Sequence, residues 1–194
     1  MNQKEIKFIT LGNSKVGKSS YILRYTENQF SIHISSTVGI DYKFKNEIID
    51  GESIKVYIFD TSGQERFRSI SYNMLKNANG VLLFFDITDR ESFTSITEWL
   101  ESIYQHQPKN FPIVLIGNKI DKNDERQITK KEAEEEANKH NLKYFEISCK
   151  NNINIREPIL DLISKVSGEK NEEIVIRLKP PRKKKRGNCC KKGK

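Results

Sequence analysis

Two runs of unbroken apolar character, Val81–Phe85 and Ile113–Ile116, set the strongest limit on what this chain can fold into. A strand with one wet face alternates polar and apolar residues, so runs this uniform read as central parallel strands covered on both sides. They call for an α/β architecture, with helices above and below a sheet. Lys7–Leu11 reads as a first strand, followed by the turn GNSKVGKSS and a helix through about Glu27. KFKNEIIDGESIKVYIF is two alternating runs joined by Asp50-Gly51, a dipeptide suited to the φ > 0 positions of a tight hairpin, so one pair of strands is antiparallel. Phe93, Ile96, Leu100, Ile103 and Tyr104 recur at helical spacing, and Thr129 with Glu132 forms a capping box that opens another helix. Tyr144–Ile147 reads as a last strand, and Ile155, Ile159, Leu160, Ile163 and Val166 line a final helix whose Pro158 falls in the first turn, where few backbone bonds are lost. The expected fold is a six-stranded, mostly parallel sheet with one antiparallel strand and helices on both faces.

At 194 residues the chain fits one globular domain with a single core. No segment approaches the roughly 18 apolar residues of a membrane-spanning helix. The start, MNQKEIKFITL, lacks the pattern of a secretory signal, and three cysteines without CxxC spacing support neither a disulfide framework nor a zinc site. A cytosolic, reducing location is expected. The net charge of +8 is unevenly spread: residues 179–194 hold nine Lys or Arg and no acid, leaving the body at 8 − 9 = −1. The expected organisation is therefore a domain over residues 1–168 and a flexible polybasic tail over 169–194.

Gly12–Ser19, GNSKVGKS, matches G-x-x-x-x-G-K-[ST] between a strand and a helix. Backbone amides of such a loop and the helix dipole hold phosphate oxygens, making Ser14, Val16, Gly17, Lys18, Ser19 and Ser20 candidate nucleotide contacts. Lys18 adds a point charge at the β and γ phosphates, and Ser19 offers a Mg²⁺ ligand. Asn118-Lys119-Ile120-Asp121 closes a buried strand, where open α/β sheets bind ligands. The Asp121 carboxylate can accept from the N1 and N2 hydrogens that guanine has and adenine lacks. Asp60-Thr61-Ser62-Gly63-Gln64 follows the third strand, with Asp60 suited to a Mg²⁺-bound water and Gln64 to orienting an attacking water.

These motifs, in this order, resemble the Ras superfamily of small GTPases from about residue 4 to 168. Within it, Ser36–Tyr42, Phe59–Ile70 and Phe84–Asp89 are similar to Rab stretches. The resemblance implies GTP or GDP with Mg²⁺ as cofactors. It also implies that Thr37 ligates Mg²⁺ in the GTP state, Phe30 flanks the guanine, Gly63 senses the γ-phosphate, Gln64 is catalytic, and Ser148-Cys149-Lys150 supports the base. Effectors of the GTP state, a GAP, an exchange factor, a prenylation escort and a GDP-dissociation inhibitor are the implied partners. The implied location is the cytoplasmic face of intracellular membranes, cycling with the cytosol, with geranylgeranyl groups on Cys189 and Cys190. Nucleic acid is not an expected partner.

Several residues depart from the Rab pattern. Lys15 stands where a small residue is usual, Ser62 replaces alanine beside the γ-phosphate, and Ile34 replaces a tyrosine. Phe59 and Leu75 soften an aromatic set that effectors commonly contact, and Cys189-Cys190 is followed by KKGK rather than ending the chain. Two alternatives keep the nucleotide site. One is a hydrolysis-impaired GTP-binding adaptor; the other is a scaffold whose PPRKKKR segment serves as a nuclear address or nucleic-acid arm.

Overall fold

The computed structural model describes residues 3–32, 40–61 and 74–168. Its six strands are β1 (Lys4–Leu11), β2 (Ile40–Ile49), β3 (Glu52–Thr61), β4 (Gly80–Asp86), β5 (Ile113–Asn118) and β6 (Lys143–Glu146). They form one sheet in the order β2-β3-β1-β4-β5-β6. Only β2 and β3 pair antiparallel, around a turn in which Asp50 (φ 51°) and Gly51 (φ 83°) both take the left-handed conformation that the dipeptide predicts. The other four pairings are parallel.

The helices are α1 (Lys18–Glu27), α2 (Arg90–Thr94), α3 (Ile96–Tyr104), α4 (Lys130–Lys139) and α5 (Glu157–Ser167). Their apolar stripes cover opposite faces. Leu82, Phe84, Val114 and Ile116 pack with Tyr21, Ile22, Ile159 and Ile163, while Val81, Leu83, Phe85 and Leu115 pack with Ile96, Trp99, Leu100 and Ile103. Every residue of β4 and β5 is buried, as a strand covered twice must be.

Four local differences from the sequence expectation have physical causes. The first strand starts at Lys4 rather than Lys7, because Lys4–Ile6 find parallel partners in Ile54–Val56. The apolar stripe over residues 93–104 spans two helices broken at Ser95. The hydroxyls of Thr94 and Ser95 both turn back on the Glu91 carbonyl, at 3.0 and 2.9 Å, crowding an oxygen that also accepts from Ser95 N at 3.1 Å. The capping box is half formed: Glu132 N donates to Thr129 Oγ1 at 3.2 Å, but the Glu132 carboxylate pairs with Arg90 instead of turning back. Leu75, expected on an aromatic effector surface, is instead fully buried in the core. Ile34, Thr37, Ser62, Gly63, Gln64, Cys189 and Cys190 lie outside the described residues.

Candidate nucleotide-binding site

The loop after β1 runs at the carboxyl end of the sheet, where β1 lies between β3 and β4, the topological switch point of an open α/β sheet. Two glycines are forced by contact as well as conformation. Gly12 has φ 131°, and a Cβ there would sit 2.2 Å from the Phe84 carbonyl oxygen. Gly17 has φ 98°, and a Cβ there would sit 2.3 Å from Asn118 Nδ2. Between them Lys15 takes φ 65°, and its side chain is exposed. Asn13, which the motif leaves unspecified, ties the loop to its neighbour: its Oδ1 accepts from Trp99 Nε1 at 2.9 Å and its Nδ2 donates to Ser95 Oγ at 3.1 Å.

Lys18 opens α1 and is buried. Its ammonium donates to the carbonyls of Gly12 (2.9 Å) and Asn13 (2.7 Å), so it lies across the loop it belongs to. Burial lowers its pKa to about 8, against a smaller upward pull from the Asp60 carboxylate. That pull places Asp60, buried at the end of β3, within electrostatic reach of the lysine. Ser19 follows in the first turn, half-buried, as is Ser20; Ser14 is exposed and Val16 buried. A hydroxyl and a carboxylate are the hard oxygen donors that Mg²⁺ takes.

Asn118 joins the two halves of the site. From the end of β5 its Nδ2 donates to the Val16 carbonyl at 2.9 Å, while its Oδ1 accepts from Lys119 N (2.7 Å) and from the Cys149 thiol (3.5 Å). Lys119 then turns left-handed (φ 70°), and its ammonium meets Asp86 Oδ2 at 2.5 Å. Asp86 is buried and its other oxygen accepts from the N–H and hydroxyl of Thr88, which fixes the carboxylate. Asp121, half-buried in the 3₁₀ segment Ile120–Glu125, accepts on Oδ1 from Ser148 Oγ at 2.5 Å. Ser148 Oγ in turn accepts from Asn151 N at 3.0 Å. Cys149 is buried, its thiol pushed up to about 12 chiefly by burial, so it packs as a neutral filler. Lys150 is exposed, and Phe30 is half-buried against the core.

The structure thus brings together residues 12–20, 60, 118–121 and 148–150. Sequence reasoning missed Asn13, Asp86 and Arg24. Asp86 stood inside a stretch singled out only for its likeness to Rab proteins, and its acidic position at a buried strand end was the available signal. Nothing local marks Asn13 or Arg24 as site residues: their bonds to Ser95, Trp99, Cys149 and Lys150 span 82 to 126 residues.

The sequence pattern of the Ras family matches residues 7–168. The chain is 38% identical over 165 residues to the GTP-binding protein ypt2 of Schizosaccharomyces pombe, covering 85% of this chain and 82% of that one. It is 37% identical over 186 residues to the Ras-related protein Rab-8 of Diplobatis ommata, covering 92% and 89%. It is 39% identical over 156 residues to Rab-10 of the same organism, covering 80% and 78%. A phosphate loop, a sheet order and a sequence match that agree over most of its length make this chain a Rab-like member of the Ras family of small GTPases.

Proposed function

We propose that the chain is a GTP/GDP switch that hydrolyses GTP to GDP and phosphate slowly on its own and recruits effectors in membrane traffic. One observation carries the reading: Asn118 ties the phosphate loop, through the Val16 carbonyl, to the strand end from which Asp121 projects, and Asp121 is already oriented by Ser148. A triphosphate gripped by the loop is thereby set at a fixed distance from a carboxylate suited to a purine edge.

In this reading the amides of residues 14–20 and the Lys18 ammonium hold the phosphates. Asp121 accepts from the guanine N1 and N2 hydrogens, Phe30 flanks the ring, and Ser148–Lys150 support the base. Ser19, Asp60 and Thr37 would hold Mg²⁺, which would neutralise charge developing on the phosphates when bound. Gln64 orients the attacking water, and Thr37 and Gly63 register the γ-phosphate; these three roles rest on the family resemblance. By the family resemblance no switch arginine stands out as a finger in cis, so intrinsic turnover on the order of 10⁻³ per second or less is expected, with a GAP to complete the site. The lipidated basic tail, with Cys189 and Cys190 as attachment points, addresses the protein to cytoplasmic membrane faces. A GDP-dissociation inhibitor retrieves it.

Calorimetry tests the reading. The purified chain binds GTP and GDP with Mg²⁺ and ignores ATP, and Asp121→Asn moves its preference toward xanthosine triphosphate, whose ring carries an acceptor where guanine has an amine. Equal binding of GTP and ATP by the wild type overturns it.

A further inference from the structure

A hydrogen-bonded path leads from the middle of α1 to the carboxylate that would read the base. Arg24 is half-buried on α1, and its planar fork closes on the loop after β6. Nε donates to the Cys149 carbonyl at 2.7 Å and Nη2 to the Lys150 carbonyl at 3.2 Å. Nη1 turns the other way, to the Asn28 carbonyl at 2.8 Å, where Asn28 ends α1 in a left-handed conformation. The guanidinium carbon also lies 5.9 Å from the centre of the Phe30 ring.

A trans peptide is planar, so fixing the direction of a carbonyl fixes the N–H on its far side. The Lys150 carbonyl and the Asn151 N–H belong to one peptide. That N–H donates to Ser148 Oγ at 3.0 Å, and Ser148 Oγ donates to Asp121 Oδ1 at 2.5 Å. Each link is a single hydrogen bond or a rigid unit, and the one side chain between the peptide and Asp121 is the short Ser148 hydroxyl, held by bonds on both sides. A guanidinium suits this position because its donors lie in one plane and hold the Cys149 and Lys150 carbonyls on one side and the Asn28 carbonyl on the other; an ammonium is a compact point charge that does not reproduce this planar three-way fork.

We infer that Arg24 is a positioning residue for guanine recognition, holding Asp121 on the purine edge through the Lys150–Asn151 peptide and Ser148. The inference rests on the guanine-nucleotide reading and adds to it the residue that sets how sharply the base is read. It predicts selective damage. Loss of the fork lets the loop and Asp121 drift, which weakens contact with the guanine 2-amino group, while the phosphate end, anchored through Asn13 and Asn118, stays in place.

The test compares release of fluorescent GDP and fluorescent IDP from the full-length chain with Mg²⁺. Inosine keeps the purine frame and the O6 oxygen but lacks the 2-amino group. Arg24→Ala is expected to release GDP about tenfold faster and IDP less than about threefold faster, narrowing the preference for GDP. A disturbance of folding alone speeds both equally, and that result, or unchanged rates for both, overturns the inference. Should Arg24→Ala not yield folded protein, Arg24→Lys decides: a GDP-to-IDP ratio equal to wild type overturns the proposal, and a narrowed ratio supports it. Failure of the underlying reading is separately visible, because the wild type itself would then retain neither nucleotide. A double variant adds a check: on a Ser148→Ala background, Arg24→Ala is expected to narrow the ratio little further, since both act through one path.

Discussion

Burial of Lys18 favours its neutral form, although two carbonyls accept from its ammonium, and this has opposite consequences for folding and for binding. Its pKa falls from 10.5 to about 8 on folding, so between those values the unfolded chain binds more protons, and stability rises with pH across that window. Below about pH 8 the burden is fully present, on the order of 3 kcal/mol. The stability gained by Lys18→Met over wild type, read from urea unfolding of nucleotide-free protein, should therefore be largest near pH 7 and shrink toward pH 10. Phosphates beside the ammonium act the other way and raise its proton affinity. Nucleotide affinity should fall as pH climbs above about 8, with proton uptake on binding that calorimetry in buffers of different ionisation enthalpy will register. The same loop has no room for a methyl group. Gly17→Ala adds a Cβ against Asn118 Nδ2 in a conformation that alanine resists, so it should lose about 2 to 4 kcal/mol of stability together with the Asn118 to Val16 bond. The shift in urea midpoint measures the first loss and calorimetric GDP affinity the second.

At the scale of elements, a buried acid fastens β2 to the helices behind it. Glu47 is 3% exposed; it accepts from the Tyr25 hydroxyl at 2.9 Å and from Arg156 Nε and Nη2 at 3.0 and 2.5 Å. Arg156→Ala leaves that carboxylate with one neutral donor and Lys45 at 4.0 Å. The expected loss is about 2 kcal/mol, below the usual figure for a buried pair because the arginine side chain is 41% exposed. Glu47→Leu with Arg156→Met should restore much of it, which denaturant midpoints of the two variants will compare. This network was not legible in the sequence, where Glu47 sat in an alternating strand and its partners lay 22 and 109 residues away. What was legible followed from burial on both faces, as in β4 and β5, or from local backbone chemistry, as at Asp50-Gly51 and in the phosphate loop. The break at Ser95 escaped because hydroxyls crowding a helix carbonyl leave the apolar period intact. Leu75 was misplaced because a resemblance in sequence carries position and not orientation. Asp121 and Ser148 were legible as motifs, but the bond between them needed the fold to bring residues 27 apart in sequence together.

The whole molecule joins residues 1–178, of net charge −1, to a closing stretch, residues 179–194, that holds nine basic residues. Among the described residues no helix is long and apolar enough to cross a membrane; in the proposed role the lipidated tail provides the attachment. Charge near an anionic surface contributes about 1 kcal/mol per residue at most and is screened by salt, whereas stable anchoring takes two signals. The membrane-bound fraction in cells should therefore resist a high-salt wash in wild type. In Cys189→Ser/Cys190→Ser what remains bound should be released by salt, and fractionation with quantitative blotting reads both outcomes. The edge strand β2 bears on crowding at such a surface. β2 is a ten-residue edge, long enough to template pairing with a foreign strand, but it carries Lys43 and Lys45 and turns the acid of Glu47 inward. A neighbour zipping onto that margin would have to disturb the bonds of Lys43 to Glu27 and of Lys45 to the Tyr25 carbonyl and match a strand pinned from behind, which works against strand-to-strand pairing of copies packed side by side.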